Sequence, residues 1–347
     1  MGIVCEVRRF DADIKAAYER LFPDSDTKSD ATLDWRFADN AHGRAYFALA
    51  LSEEGQIAGM IGLIPTIFVV EGREVLGLQA VDTIVDPAFR GKALFVRMGK
   101  AIYDHQQVHQ ADFVWGFPND QAARGWFGRL GWTHMGMVPF LVKPLRTGYV
   151  LRRISAALGK IDLPLALPGK KAPPPNTRQI TEVGPEADAT LNAFHRESGA
   201  TLRRDAAWLN WRLFAHPTAQ YRTVASFDDH GAMRALVSTI VLEKHGARIC
   251  YVMEAMAATK DAAILRKLMG SELAFARRHG AEVALAWCSS TSQLRSTYAR
   301  AGFLPLPEKL RPIEMHVGGK VMAENVPSRL TNEDPHFHLS YLNSDTV

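Results

Sequence analysis

The chain has 347 residues, 47% of them hydrophobic and 22% charged, with a net charge of +4 from 41 Lys and Arg against 37 Asp and Glu. That length suits two domains, each able to bury its own core, and the composition excludes a disordered or fibrous protein. The mild positive balance, with basic residues scattered and not interleaved with aromatics, argues against nucleic acid as a partner and fits a small polyanionic ligand.

The opening "MGIVCEVRRFDADIK" meets charged residues before an export-type apolar core forms, so a cytoplasmic location is expected. Cys5, Cys250 and Cys288 are odd in number and far apart, which predicts reduced core thiols and no metal site. A first strand is expected over Val4 to Arg8, helices through the Trp35-Arg36 segment, then a hairpin of Ala45 to Leu51 and Ile57 to Ile64. The apolar run Ile57 to Val70 contains Pro65 and is too short to span a bilayer as a helix, so buried strands are expected and no membrane insertion.

Next comes "VDTIVDPAFRGKALFVRMGK", Val81 to Lys100. It reads as the end of a longer strand (Leu76 to Val85), a Pro-marked basic turn, and a helix from Gly91 to about His109. A buried strand "DFVWGF", a helix from about Gln121 and a closing strand near Met135 to Val142 complete this half.

The pattern then repeats. "LDWRF" around Trp35 returns as "LNWRL" around Trp211, 176 residues on, and "FGRLGW" around Gly131 returns as "YARAGF" around Gly302, 171 residues on. Between the copies, Arg146 to Pro175 carries six basic residues, one acidic residue and five prolines. This stretch, with Arg152, Arg153, Lys160, Lys170 and Lys171, reads as a solvated linker, with a short amphipathic helix at Ser155 to Lys160. The expected division is 1–146, a linker 147–176, a second copy 177–319 and a tail 320–347. The fold class is α/β with mixed sheets, in two similar domains.

"VDPAFRGKALFVRM" followed by "FPNDQAARGWFGRLGW" resembles the two signature segments of the GNAT acetyltransferase superfamily, and the double copy resembles a tandem GNAT-like protein with a degenerate second copy. The resemblance implies two GNAT-like (acyl-CoA N-acyltransferase) domains and an acetyl-CoA donor whose pyrophosphate lies on the turn amides, at a helix N-terminus. It carries cofactor binding onto Thr83, Ile84 and Val85 at the strand end, and onto Arg90, Gly91, Lys92, Ala93, Leu94 and Phe95 in the turn. Asn119 and Phe127 follow on the second segment. The family prefers glycine at Ala93 and glycine or alanine at Phe95. Ala93 is expected to keep a negative φ and still donate its amide, and the Phe95 ring to turn inward. In the second copy Arg90-Gly91-Lys92 becomes Asp261-Ala262-Ala263, so one CoA site is expected, in the first half.

Acyl transfer to an amine needs a base for the ammonium and a proton for the leaving thiolate. Asp82 lies inside a strand, where an unpartnered carboxylate is costly, so it is either paired with a neighbouring group or the base. Gln79, at the position of many GNAT catalytic glutamates, cannot be one. The family's tyrosine position holds Phe127, leaving Tyr103 as a substitute acid or a half-buried core residue. Asn119 either bonds a pantetheine arm or caps the following helix. In the second half Glu254 and Tyr298 are either remnants of decay or the lining of an acceptor pocket. Trp35-Arg36 and Trp211-Arg212 read as packing pairs.

The sequence thus points to an N-acetyltransferase acting on a primary amine of a small molecule or amino sugar. The alternatives are an acyl-CoA-binding protein without turnover and a transferase with a polysaccharide-type acceptor. The oligomeric state is left open.

Overall fold

The computed structural model describes residues 2–23, 28–105, 108–152, 155, 161–165, 172–311, 313–324, 326–330 and 337–344. Arg153, Lys160, Lys170, Lys171 and, beyond Ser155, the helix expected to run to Lys160 lie outside the described residues. The first elements are β1 (Val4–Arg9), α1 (Ala12–Leu21), α2 (Asp30–Leu33), a π-helical turn Asp34–Ala38, β2 (Tyr46–Leu51), β3 (Ile57–Val70) and β4 (Arg73–Val85). Then come α3 (Leu94–Asp104), β5 (Phe113–Gly116), α4 (Asp120–Gly128) and β6 (Thr133–Met137). The chain continues through β7 (Phe140–Pro144), α5 (Thr147–Leu151), β8 (Thr177–Gln179), α6 (Asp188–Ser198), β9 (Ala200–Leu202), α7 (Ala206–Leu213), β10 (Arg222–Phe227), β11 (Met233–Lys244) and β12 (Ala247–Ala257). It ends with α8 (Ala262–Arg278), β13 (Val283–Trp287), α9 (Arg295–Arg300), β14 (Leu304–Pro305) and β15 (His316–Val321).

Local chemistry accounts for several boundaries. Asp11 starts α1 by accepting the Ile14 amide at 3.0 Å, and Ser29 caps α2 through Thr32. In α3 the buried residues Leu94, Met98, Gly99 and Ile102 recur at helical spacing and face one side of the sheet. A side chain at Gly99 would collide with Leu130, so glycine is what lets helix and loop meet. The opposite side is covered by Ile14, Ala17, Tyr18 and Leu21 of α1 with Leu33 and Phe37. Pro65 lacks a donor, yet sits in β3 past Leu63, where pairing with β2 ends.

The chain folds as two units: Met1–Met137 with Ala215–Ala219 and Glu314–Pro335, and Val138–Phe214 with Gln220–Ile313 and His336–Val347. The first sheet runs β1-β2-β3-β4-β5-β15-β6, the second β14-β7-β13-β12-β11-β10-β8. The single closing strand expected near Met135 to Val142 is therefore two strands in two sheets. β6 stays in the first, while β7 pairs with β13 and β14 in the second. In return β15, assigned by sequence mostly to a tail, lies between β5 and β6. Each unit completes its sheet with a strand from beyond its own linear segment, so the division 1–146 and 177–319 does not describe the fold.

The linker reading also changes. Among its described residues, Thr147 Oγ1 donates to the Ile161 carbonyl at 2.9 Å and Arg146 Nε bonds Asp162 at 2.6 Å. Leu165 joins Leu145 through the backbone at 3.0 Å. A carboxylate and a hydroxyl in the right places fold part of this basic segment onto the second unit.

The repeat is visible in detail. Register slips between Met60 and Gly62 of β3, and between Ser238 and Thr239 of β11, so β4 and β12 each bulge at positions 171 residues apart, Asp82 and Met253.

Candidate active site

Parallel pairing of β4 with β5 stops at Ala80 and Gly116, while β4 runs on to Val85 along β3 alone. Beyond that point the strands part. Residues 80–85 of this central strand are half-buried, where a strand paired on both sides would be sealed. The bulge lies within this stretch: Val81 pairs with Gly62 and Ile84 with Met60, so Asp82 and Thr83 share one opposing position. Asp82 takes φ +47, a left-handed conformation that Asp tolerates better than most residues.

The Asp82 carboxylate is a hub. It accepts from Lys28 Nζ at 2.6 and 2.7 Å, from Arg36 Nη1 at 3.0 Å and from the Tyr18 hydroxyl at 3.0 Å. Its side chain is 12% exposed. Of the two sequence readings, the paired carboxylate is the one observed, and its partners come from the α1 side of the sheet. Arg36, read from sequence as a packing residue, thus grips the strand, while Trp35 packs on His216 with ring centroids 4.2 Å apart. Lys28 and Tyr18 were missed; nothing in their local sequence marks them, because they meet Asp82 only through tertiary structure.

At the far end of the opening, Asp86 begins the turn, accepting the Ala88 amide at 2.9 Å and held by Arg20 at 2.5 Å. Arg90, Gly91, Lys92 and Ala93 are exposed, and Gly91 has φ +82 with open space around it. Ala93 also has φ +53, against the expectation that it stays negative. The glycine preferred there serves conformation, and alanine carries strain of about 1–2 kcal/mol. Ala93 offers no side-chain cap to α3, and the first turn contains no acidic residue, so no side chain of the turn caps the positive end of the helix dipole. Lys92 Nζ lies 5.3 Å from the Phe89 ring centroid.

The Phe95 ring does turn inward, against Gly125, whose hydrogen leaves room for it, and edge-on to Trp126 at 5.1 Å. Asn119 caps α4 by accepting the Ala122 amide at 2.9 Å, the helix-cap reading. Phe127 packs over Gly318 and beside His134, centroids 4.9 Å apart. Gly318 is in register with Gly116, which places Phe127 one strand from the point where β4 and β5 part.

Tyr103 is elsewhere. It lies ten residues into α3 from Ala93, about 15 Å along the helix axis. Its hydroxyl accepts from the Trp132 indole at 2.9 Å, and burial pushes it up to about 12 despite that bond. This is the half-buried core reading.

Glu254 and Tyr298, the possible lining of an acceptor pocket, are sealed in the second unit at 0% and 1% exposure. Burial alone would raise the Glu254 carboxyl, but Arg204, bonded at 2.6 Å, and His338 outweigh it and hold it down to about 2. Burial keeps His338 below its usual range, so Arg204 is the balancing charge. Burial pushes the Tyr298 phenol well up. At the turn, Asp261 is 1% exposed and bonded by Arg234 Nε at 2.9 Å, and α8 begins directly after it. A buried carboxylate therefore occupies the place of the first unit's exposed cations.

Among the described residues no group of His, Cys, Asp and Glu is arranged to hold a metal, and no helix is long and apolar enough to cross a membrane.

Residues 11–135 match the family model described as an acetyltransferase (GNAT) domain. No curated protein sequence matches the chain. Among solved structures, the chain is similar to a GCN5-related N-acetyltransferase from Anabaena variabilis, with 12% identity, TM-score 0.60, and coverage of 92% of this chain and 73% of that one. It is also similar to a probable N-acyltransferase from Enterococcus faecalis, with 10% identity, TM-score 0.59, and coverage of 92% and 73%. A third is the Saccharomyces cerevisiae N-myristoyltransferase with bound myristoyl-CoA, with 13% identity, TM-score 0.57, and coverage of 91% and 82%. The family match lies within the first unit, and the chain as a whole shares the fold of these solved structures.

Proposed function

We propose that this GNAT domain binds acetyl-CoA or a related acyl-CoA on the turn of residues 90–95 and passes the acyl group directly to a primary amine of a small molecule or amino sugar. The observation that carries the reading is the open edge of β4, which leads from the uncapped N-terminus of α3 to the parting of β4 and β5. From Val85 to Ala80 is about 17 Å of strand, comparable to a pantetheine arm, and pairing with β5 ends at Ala80. A diphosphate on the turn then brings the thioester to Ala80 and Gly116. The myristoyl-CoA bound by one structural neighbour supports an acyl-CoA donor.

In this reading the free amine attacks the thioester carbonyl, the C–N bond forms, the C–S bond breaks, and CoA leaves as a thiolate. The ammonium must first lose a proton, and Asp82 is the carboxylate beside the opening. It acts through water, since Lys28, Arg36 and Tyr18 already surround it. Tyr103 is a poor acid for the leaving group, because a phenol near 12 gives its proton uphill to a thiolate whose conjugate thiol has a pKa of about 8.5. The proton comes from water, and Phe127 excludes bulk solvent on the α4 side.

Thiol release from acetyl-CoA with a panel of amines and amino sugars tests the reaction. Asp82→Asn suits the same assay, because Asn also tolerates positive φ and keeps the bulge while removing the charge. A fall of about 10²-fold or more in turnover with acetyl-CoA affinity kept is expected. A folded protein that binds no acyl-CoA by calorimetry would end this reading. Phe127, with no proton to give, favours a second one, an acyl-CoA-binding protein without turnover. Binding, no thiol release on any amine or polysaccharide acceptor, and an unaltered Asp82→Asn variant would select it.

A further inference from the structure

In the second unit the equivalent opening is not empty. Parallel pairing of β12 with β13 ends at Tyr251 and Leu285, yet Val252 to Ala257 stay buried. Residues 337–344 fill the space, every one at 8% exposure or less. This segment touches both strands as they part. Ser340 Oγ donates to Glu254 at 2.8 Å and His338 Nε2 lies 3.0 Å from the same carboxylate on β12, while Ser289, just past β13, donates to the Phe337 carbonyl at 3.3 Å. Tyr341 stacks on Trp287 with centroids 4.5 Å apart and meets Tyr251 edge-on at 5.2 Å.

The contacts have the form of peptide recognition, in which backbone bonds give affinity and pockets read side chains. The His338 amide donates to the Ala200 carbonyl at 2.8 Å, and Thr201 and His338 form a parallel bridge. Arg204, 0% exposed, reaches Ser340 at 3.1 Å and Asn343 at 3.0 Å while holding Glu254. Arg212 donates to the carbonyls of Leu342 at 3.3 Å and Ser344 at 2.7 Å. Arg204 also donates to Thr201 Oγ1 at 2.6 Å and to the Leu202 carbonyl at 3.0 Å, so the buried Arg–Glu pair would keep those bonds but lose the ones to this segment, and gain water, if the segment left.

We infer that the parting of β12 and β13 is a peptide-binding groove whose resident ligand is the chain's own segment 337–344. The second unit therefore carries a built-in occupant where the first has an open edge. The groove reads an apolar aromatic at 341 flanked by the hydroxyl of Ser340 and the amide of Asn343.

The test uses a chain ending at residue 336 and a fluorescent synthetic peptide spanning Phe337 to Val347. The truncated protein is expected to lose amide protection over Val252 to Ala257, bind the peptide saturably, and regain protection. A Tyr341→Ala peptide should bind about tenfold or more weakly, the cost of one lost stacking aromatic. The intact chain should not bind the peptide, since its groove is filled. A truncated chain with wild-type protection, or a folded one that ignores the peptide, overturns the inference. If truncation prevents folding, the full-length Tyr341→Ala variant decides: binding of the wild-type peptide supports the groove, and no binding refutes it. Acyl-CoA binding is not a readout here, so this result stands apart from the reading of the first unit.

Discussion

The same corner was built twice in this chain and taken in opposite directions. In the first unit the strand end is half-buried, the turn is exposed and cationic, and the helix behind it is uncapped. In the second the strand end is sealed, the turn carries a buried carboxylate, and a peptide segment fills the space. Even the repeated arginine follows this split: Arg36 holds the strand carboxylate Asp82, whereas Arg212 holds the carbonyls of Leu342 and Ser344. Within one fold, whether the opening offers a ligand site is set by a few residues at the turn and by what else the chain places there.

The contrast can be broken most forcefully in the second unit. Glu254→Ala leaves Arg204 buried without its counter-charge, expected to cost about 3–5 kcal/mol and to lower the melting temperature by roughly 10 °C. An unchanged melt would mean the sealed pair is not structural.

Acid should act on the same group. Glu254 has a folded value held down to about 2 against 4.5 in its reference state. Because the folded value is depressed, its stabilisation is full above pH ~4.5 and is lost as pH falls towards 2, a change of roughly 3 kcal/mol. Denaturant titrations across that window should show the loss, and Glu254→Gln should flatten it.

In the first unit, Arg90→Glu places a carboxylate where a diphosphate is expected, and should weaken acetyl-CoA binding by about 100-fold in calorimetry with the melt unchanged. Unaltered affinity would mean the turn is not the cradle.

The smallest effect is Ala93→Gly. Relieving a left-handed alanine should stabilise the protein by about 1 kcal/mol and keep acetyl-CoA affinity. Destabilisation would show that the φ of +53 is not a strain.

Much of this was legible in the sequence where the cause is local. The Pro-marked turn, the apolar spacing of Leu94, Met98 and Ile102 and the apolar run "FVWGF" mark turn, helix and buried strand in chain order. The helix stops at Asp104, short of the expected His109, and β3 runs on to Val70 as one strand. The loss of the cationic turn in the second copy was plain from Asp261 alone.

The remainder depends on partners far along the chain. Asp82 meets Tyr18, Lys28 and Arg36 across 46 to 64 residues, and no spacing rule connects them. β7 and β15 are short and chemically ordinary, so only the edges they complete reveal which sheet each joins. The segment 337–344 looked like a tail, although Phe337, Leu339, Tyr341 and Leu342 are apolar enough to have marked it as buried. Ala93 was misjudged because a turn's φ follows from how the loop closes onto the helix, not from the residue alone.

The central claim is that one of the two corners is open to an acyl-CoA and the other is closed, and titration calorimetry of acetyl-CoA into the intact chain tests it most directly. The account predicts one molecule bound per chain. Two molecules per chain, or none to a folded sample, would contradict it.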